Sequence, residues 1–175
     1  MKKVFVIILT YFSLIPLTYS QEIKDNLVYL QGGITDNGYN VTAGFEKLFG
    51  VNKNNGLSID LNYHNLYNIP DVVPIKLKDE SYFISVNYKR YFSIGKLSSF
   101  YPYAGLGLLV GYQHIDEFSS GIFTHPDENN FIFGGKSLIG TEYRVSKVIG
   151  FFLEGSYMFT GDHYFRANAG IKLRI

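Results

Sequence analysis

The chain has no cysteine and no tryptophan, only two methionines, and almost no net charge. Without cysteine there is no disulfide framework, no thiolate metal site and no cysteine for lipid attachment. Sixteen Lys and Arg stand against fifteen Asp and Glu, a formal net charge of +1. A nucleic-acid binder would show a basic stripe, and this balance gives no electrostatic case for one. Long apolar runs are scarce too. Past the first twenty residues, no stretch approaches the roughly 20 apolar residues that a membrane helix needs. If the chain enters a membrane there, it does so as a closed β-barrel, because only closure satisfies every strand's backbone hydrogen bonds in lipid.

Glycine and aromatic residues are abundant instead, with 15 Tyr, 15 Phe and 18 Gly. Tyr and Phe favour strands, and Tyr suits a surface that is apolar at one end and wet at the other. The first twenty residues have a different character. Lys2 and Lys3 precede the apolar run 4–9, and small Thr18 and Ser20 stand three and one residues before a cut at Gln21. This is the pattern of a cleaved secretory signal. A membrane anchor is the rival reading, but Thr10, Ser13 and Pro16 interrupt its apolar stretch. The expected organisation is a signal peptide over 1–20 and a single domain over 21–175. That domain has 175 − 20 = 155 residues, and losing Lys2 and Lys3 takes its net charge to −1.

The domain divides into eight runs of period two separated by turn residues, near 26–34, 38–49, 55–65, 80–92, 99–114, 131–144, 147–160 and 163–175. In the third, Leu57, Ile59, Leu61 and Tyr63 share one face, and Ser58, Asp60, Asn62 and His64 the other. In the fourth, Tyr82, Ile84, Val86 and Tyr88 oppose Ser85, Asn87 and Lys89. In the seventh, Leu153, Tyr157 and Phe159 oppose Glu154, Ser156 and Met158. In the last, Phe165, Ala167, Ala169, Ile171, Leu173 and Ile175 oppose Arg166, Asn168, Lys172 and Arg174. A helical period of 3.6 would scramble these sets.

Alternation alone leaves the direction of each face open. A soluble lipocalin-like barrel would turn the apolar face inward around a ligand. Three features predict the membrane orientation. Tyr39, Tyr63, Tyr82, Tyr88, Tyr112, Tyr143 and Tyr157 ring the apolar faces near strand ends, which suits two interfacial girdles. Gly105, Gly107 and Gly111 lie on the other face of the fifth run, as a narrow packed lumen requires. The connections also alternate in length. The second, fourth and sixth (50–54, 93–98 and 144–147) are short, whereas the third and fifth (66–79 and 115–130) are the longest. Long loops on one side and short turns on the other match an outer-membrane barrel with its N-terminus in the periplasm. The expected fold is therefore all-β: an eight-stranded antiparallel up-and-down transmembrane barrel of the Gram-negative outer membrane, preceded by the signal peptide.

The polar face carries Glu46, Asp60, Lys89, Lys136, Glu142, Glu154, Arg166, Lys172 and Arg174. Eight strands enclose a space just wide enough for side chains, and charges buried there must pair. The expected network is Glu142, Glu154, Lys136, Arg166, Lys172 and Arg174, with the acids of runs six and seven bridging to the bases of run eight. Such a network plugs the lumen; an ion or proton path is the sharper alternative. His64, His114 and His163 fall near the loop-side strand ends, and Ser58, Asp60 and Glu154 are polar-face candidates for a Ser–His–acid set of the kind a lipid A-editing barrel would use. No spacing demands that geometry, and no H-x₃-H pair offers a metal site. No catalytic, cofactor-binding or metal residues are assigned. In the long loops, Asn68 to Pro74 is stiffened by its prolines. The loop 115–130 sets Phe118, Ile122 and Phe123 among acids, where they either dock a partner or fold over the barrel mouth as a lid.

Gly111-Tyr112-Gln113-His114-Ile115, then Glu128-Asn129-Asn130-Phe131-Ile132-Phe133-Gly134-Gly135, then GTEYRVSKVIGFFLEGSY over 140–157 resemble the TraO family of conjugal transfer proteins from Bacteroidetes conjugative transposons. The upstream Tyr63, Pro70 and Pro74-Ile75 pattern is also similar, and the resemblance spans roughly 26–175. It implies a non-enzymatic outer-membrane component of a type IV-like mating apparatus. Its partners would be membrane lipid and other transfer proteins, with no direct nucleic-acid contact, no small-molecule substrate and no cofactor. A lipid A-modifying barrel enzyme, a barrel of adhesion or envelope-integrity type, and a secreted lipophile carrier are the competing expectations.

Overall fold

The structure is a computed structural model that describes residues 25–36, 38–50, 52–68, 77–92, 99–115, 118–120, 123–125, 128–160 and 163–175. The expected signal over 1–20 and the proline-bearing segment 69–76 lie outside them. The elements are β1 (Asn26–Thr35), β2 (Gly38–Phe49), β3 (Asn55–Asn68), β4 (Leu77–Tyr91), β5 (Phe100–Ile115), β6 (Phe118–Ser120), β7 (Phe123–His125), β8 (Glu128–Arg144), β9 (Ile149–Phe159) and β10 (His163–Arg174). Eight of them close into a barrel in the order β1-β10-β9-β8-β5-β4-β3-β2, every neighbour antiparallel. β6 and β7 form a separate small hairpin between β5 and β8.

The period of two sorts the side chains as the pleat requires. Leu57, Ile59, Leu61, Tyr82, Ile84, Val86, Leu153, Phe165 and Ile171 all point outward and exposed, while Ser58, Asp60, Asn62, Asn87, Lys89, Glu154 and Arg166 point inward and buried. The barrel is thus inside-out relative to a soluble protein. Its outer surface is a continuous apolar belt, far larger than the few hundred Å² of apolar patch usual on a soluble monomer. Rings cluster where the belt ends. Tyr63 sits between Tyr39 and Tyr82 at the loop end, with ring centroids 6.3 and 5.2 Å away. At the turn end Phe49 meets Tyr88 at 6.3 Å and Phe100 meets Tyr143 at 4.8 Å.

Two apolar clusters cap the interior. Leu27, Leu48, Tyr91, Tyr103 and Leu138 pack at the turn end, and Phe83, Leu109, Met158 and Tyr164 towards the loop end. Between them the interior is polar. Glycine makes room where the wall is tightest: a Cβ on Gly111 would lie 2.2 Å from the Tyr82 carbonyl oxygen, closer than atoms approach. Gly50 takes a left-handed φ of 90° in the β2–β3 turn, where Lys53 donates its backbone N–H to the Gly50 carbonyl at 3.0 Å.

The long connections are shorter than the alternation predicts. β3 runs on to Asn68 and β4 starts at Leu77; β8 starts at Glu128, with Ile115 opposite Glu128. Above the girdle both faces of a strand meet water, so pairing continues there without the apolar–polar alternation that marks a strand in sequence. The expected lid loop thus contains the β6–β7 hairpin; the side chains of Phe118 and Phe123 lie outside the described set, as does Ile122.

Candidate functional site: the charged lumen and its rim

The lumen is built from inward positions on all eight barrel strands, and its charges form one stack. At the turn end, Glu142 on β8 accepts from Arg174 on β10 and from Arg144 Nε at 3.0 Å. Lys172 Nζ lies 3.5 Å from Glu142 Oε2 and 3.0 Å from Glu46 Oε2, and donates to the Tyr91 hydroxyl at 2.7 Å. Tyr91 in turn donates to the other oxygen of Glu46. Lys89 bridges onward, 3.6 Å from Glu46 and 3.5 Å from Glu154. Tyr103 donates to Glu154 at 3.0 Å. Four aromatic rings, Tyr29, Tyr91, Tyr103 and Phe152, stand within 5.7 Å of the Lys172 ammonium and shield it with their π-faces.

The middle tier centres on Asp60. Its carboxylate accepts from Tyr29, from Asn87 at 2.7 Å, from Ser85 at 3.4 Å, and from Lys136 reaching across the lumen at 3.2 Å. The upper tier holds Arg166 and His64. Arg166 donates to Ser156 Oγ at 3.1 Å, Asn62 Oδ1 at 3.2 Å and His64 Nε2 at 2.8 Å. A guanidinium only donates, so His64 Nε2 accepts and its proton sits on Nδ1, which faces the Tyr164 hydroxyl at 2.9 Å.

All six residues of the expected network are buried in the lumen, but only the acid of run six makes the expected bridge to run eight. Glu142 does meet Lys172 and Arg174 of the last strand. Glu154 instead pairs with Lys89 of β4, and Lys136 with Asp60 of β3. Among the described residues, Arg166 meets no carboxylate within 4 Å. In so narrow a barrel a lysine stem spans the interior, so strands opposite in space are as near as neighbours. Lys89 and Glu46 share the polar face with this network, and the pairings make Glu46 its hub. Tyr29, Tyr91 and Tyr103 are participants that sequence reasoning missed. Their inward parity marked them, but tyrosine counted there as a girdle residue.

The histidines separate. His64 is not at the rim; it lies fully inside, edge-on to Phe83 and Tyr164. His163 lies on the outer face, stacked on Tyr157 at 6.1 Å. His114 sits at the rim beside Asn129 Oδ1 at 2.9 Å. Ser58 and Asp60 are buried deep below. The three histidines therefore do not converge with a serine and an acid. Among the described residues, no group of three His, Cys, Asp or Glu is placed to hold a metal ion. Above the upper apolar cluster a mouth cavity of about 360 Å³ is lined by Asp79, Ser81, Gln113, Asn130, Thr160 and Tyr164 on its polar side. Asp79 accepts there from Ser81 and Gln113.

No family model matches the chain, and no curated protein matches it. Solved structures do. Neisserial surface protein A superposes with a TM-score of 0.67 at 15% identity, over 86% of this chain and 97% of that one. The outer membrane protein OprG from Pseudomonas aeruginosa gives 0.55 at 12% identity, over 86% and 93%. A transmembrane β-barrel designed de novo gives 0.55 at 15% identity, over 90% and 100%. At such identities the likeness carries the fold and no activity; one of the three was designed for its fold. The chain has the fold of the small outer-membrane β-barrels: eight antiparallel strands, closed, apolar without and polar within.

Proposed function

We propose that this chain is a non-enzymatic outer-membrane protein with a closed lumen, acting through its loop-end rim and turn-end connections on other components of a conjugative DNA-transfer apparatus. The observation that carries the membrane half is the apolar outer belt, bounded by aromatic rings and wrapped around ion pairs. A soluble carrier of lipophiles needs the reverse, an apolar interior around a ligand. Here the interior is filled by Glu46, Asp60, Glu142, Glu154 and their cations. The loop end then faces the cell exterior and the turn end the periplasm. The dispersal of His64, His114 and His163 supports a role without catalysis.

The conjugative half rests on the resemblance of 111–115, 128–135 and 140–157 to the TraO family. These segments build the β5–β8–β9 wall, whose strands rise beyond the girdle at the loop end. That wall is where contact with partner proteins is proposed.

Deleting the gene in a donor strain tests the conjugative half. Transfer frequency falls by orders of magnitude and returns with the intact chain, and a photoreactive residue at Glu128 captures other transfer proteins. Unchanged transfer overturns the conjugative role and leaves the barrel. A protein released by carbonate wash, with no gel shift on boiling, overturns the membrane reading as well.

A further inference from the structure

Among the described residues the lumen holds five buried cations, Lys89, Lys136, Arg166, Lys172 and Arg174, and four deep carboxylates, Glu46, Asp60, Glu142 and Glu154. Four of the cations lie within 4 Å of a carboxylate. Arg166 is the exception. Its three hydrogen bonds go to a serine hydroxyl, an asparagine carbonyl and a neutral imidazole, and its Nη2 is buried with no hydrogen-bond partner. A buried guanidinium that hydrogen-bonds only neutral groups is costly, because Glu154 and Asp60 act on its charge from beyond contact distance and no carboxylate touches it. Asp79, the remaining buried acid, belongs to the mouth with Ser81 and Gln113.

The wall beside Arg166 repeats the deficit in neutral groups. Asn40 on β2 and Asn168 on β10 stand on either side of Gly33, each its register partner. Two pairs further towards the loop end, and so on the same inner face, Arg166 faces Thr35. Both amide atoms of Asn40 and both of Asn168 are buried without partners, as is Thr35 Oγ1. Gly33 lets this happen: a Cβ there would meet Asn168 Oδ1 at 2.1 Å. β2 and β10, on either side of β1, thus bring one unspent guanidinium N–H₂ and two unspent carboxamide N–H₂ groups to the same stretch of inner wall. A surplus positive charge of one, with N–H donors around it, is the complement of a small monovalent anion.

We propose that Arg166, Asn40 and Asn168 form an internal anion site, which takes chloride as the counter-ion of the lumen. Filling it brings the deep charges to five and five. Chloride is small enough to sit among side chains in an eight-stranded interior, where an organic anion is not. The site is structural: the anion locks β10 against β1 and β2, the seam at which the barrel closes.

The test uses the intact protein refolded in detergent. Boiling-dependent gel shift is recorded against temperature in sodium chloride and in sodium gluconate of equal ionic strength. Chloride raises the midpoint by about 2–4 °C or more over a hundredfold concentration range. Arg166→Met abolishes that dependence, whatever its own midpoint. In crystals grown from bromide, an anomalous peak lies within hydrogen-bond reach of Arg166 Nη2. Equal midpoints in chloride and gluconate, or a chloride response that survives Arg166→Met, would overturn the site. So would a water at Arg166 with no anomalous signal, a readout available even if the variant does not fold.

Discussion

Leu153→Arg separates a lipid-facing belt from a water-facing one by the size of its effect. Leu153 lies midway along β9, is 61% exposed, and is flanked across the sheet by Ala169 and Thr141. On a soluble barrel an arginine there would meet water and change stability by no more than about 0.5 kcal/mol. In a bilayer it stands near the midplane, where such a substitution costs about 2–4 kcal/mol. Each 1.4 kcal/mol is a factor of ten, so the folding equilibrium drops roughly 30- to 700-fold. Depth supplies the internal control. Phe159→Arg, at the loop end of the same face and strand, costs at most about 1 kcal/mol of membrane penalty because its side chain reaches the interface. The assay is urea titration in phospholipid vesicles, with the folded fraction read from the unboiled gel band, since the chain has no tryptophan to report by fluorescence. Equal, small effects at 153 and 159 would refute the orientation of every outward residue.

The lumen and wall offer further tests. Glu46→Leu strands Lys172 and Lys89 without their shared carboxylate, and should lower stability by about 3–5 kcal/mol in the same titration. Gly111→Ala sets a methyl against the Tyr82 carbonyl, and should cut the yield of heat-modifiable barrel on refolding; a normal yield would mean the β4–β5 pair is looser than its register implies. Replacing His114 and His163 with Gln and His64 with Asn should leave the lipid A acylation pattern by mass spectrometry unchanged. A changed pattern would restore the enzymatic alternative.

Most of the barrel is legible along the chain because lipid imposes a simple rule: one face apolar, one polar, residue by residue. Leu57 to His64 announces its strand, its inward face and its outward face in eight letters. The rule stops at the girdle, so Tyr67, Asn68 and Leu77 to Asp79 extend strands that the pattern ends or begins too soon. Membership of the lumen was equally legible, since parity alone places Glu46 and Arg166 inside. Partnership was not. Whether Lys136 finds Glu154 on the next strand or Asp60 across the interior depends on tilt, stem length and competing hydrogen bonds, none of which has a sequence period. Tyr103 shows the same limit: parity places it inside, but nothing along the chain names Glu154 as its acceptor.

The seam between β1 and β10 has a kinetic meaning. Leu27 to Thr35 pairs with Arg166 to Arg174, and Ile175 donates its backbone N–H to the Asn26 carbonyl at 2.9 Å. Every other ladder of the barrel joins strands consecutive around the hairpins, so it forms from nearby segments with little loop-closure entropy. This one joins the two extremes of the barrel, and it waits for all the rest. Until it forms, β1 and β10 each present a row of unpaired amides and carbonyls, in lipid costly and in water a template for other chains. Assembly is therefore gated by its last step: a half-built sheet has no stable resting place, and the time to closure sets how long it must be kept from its neighbours.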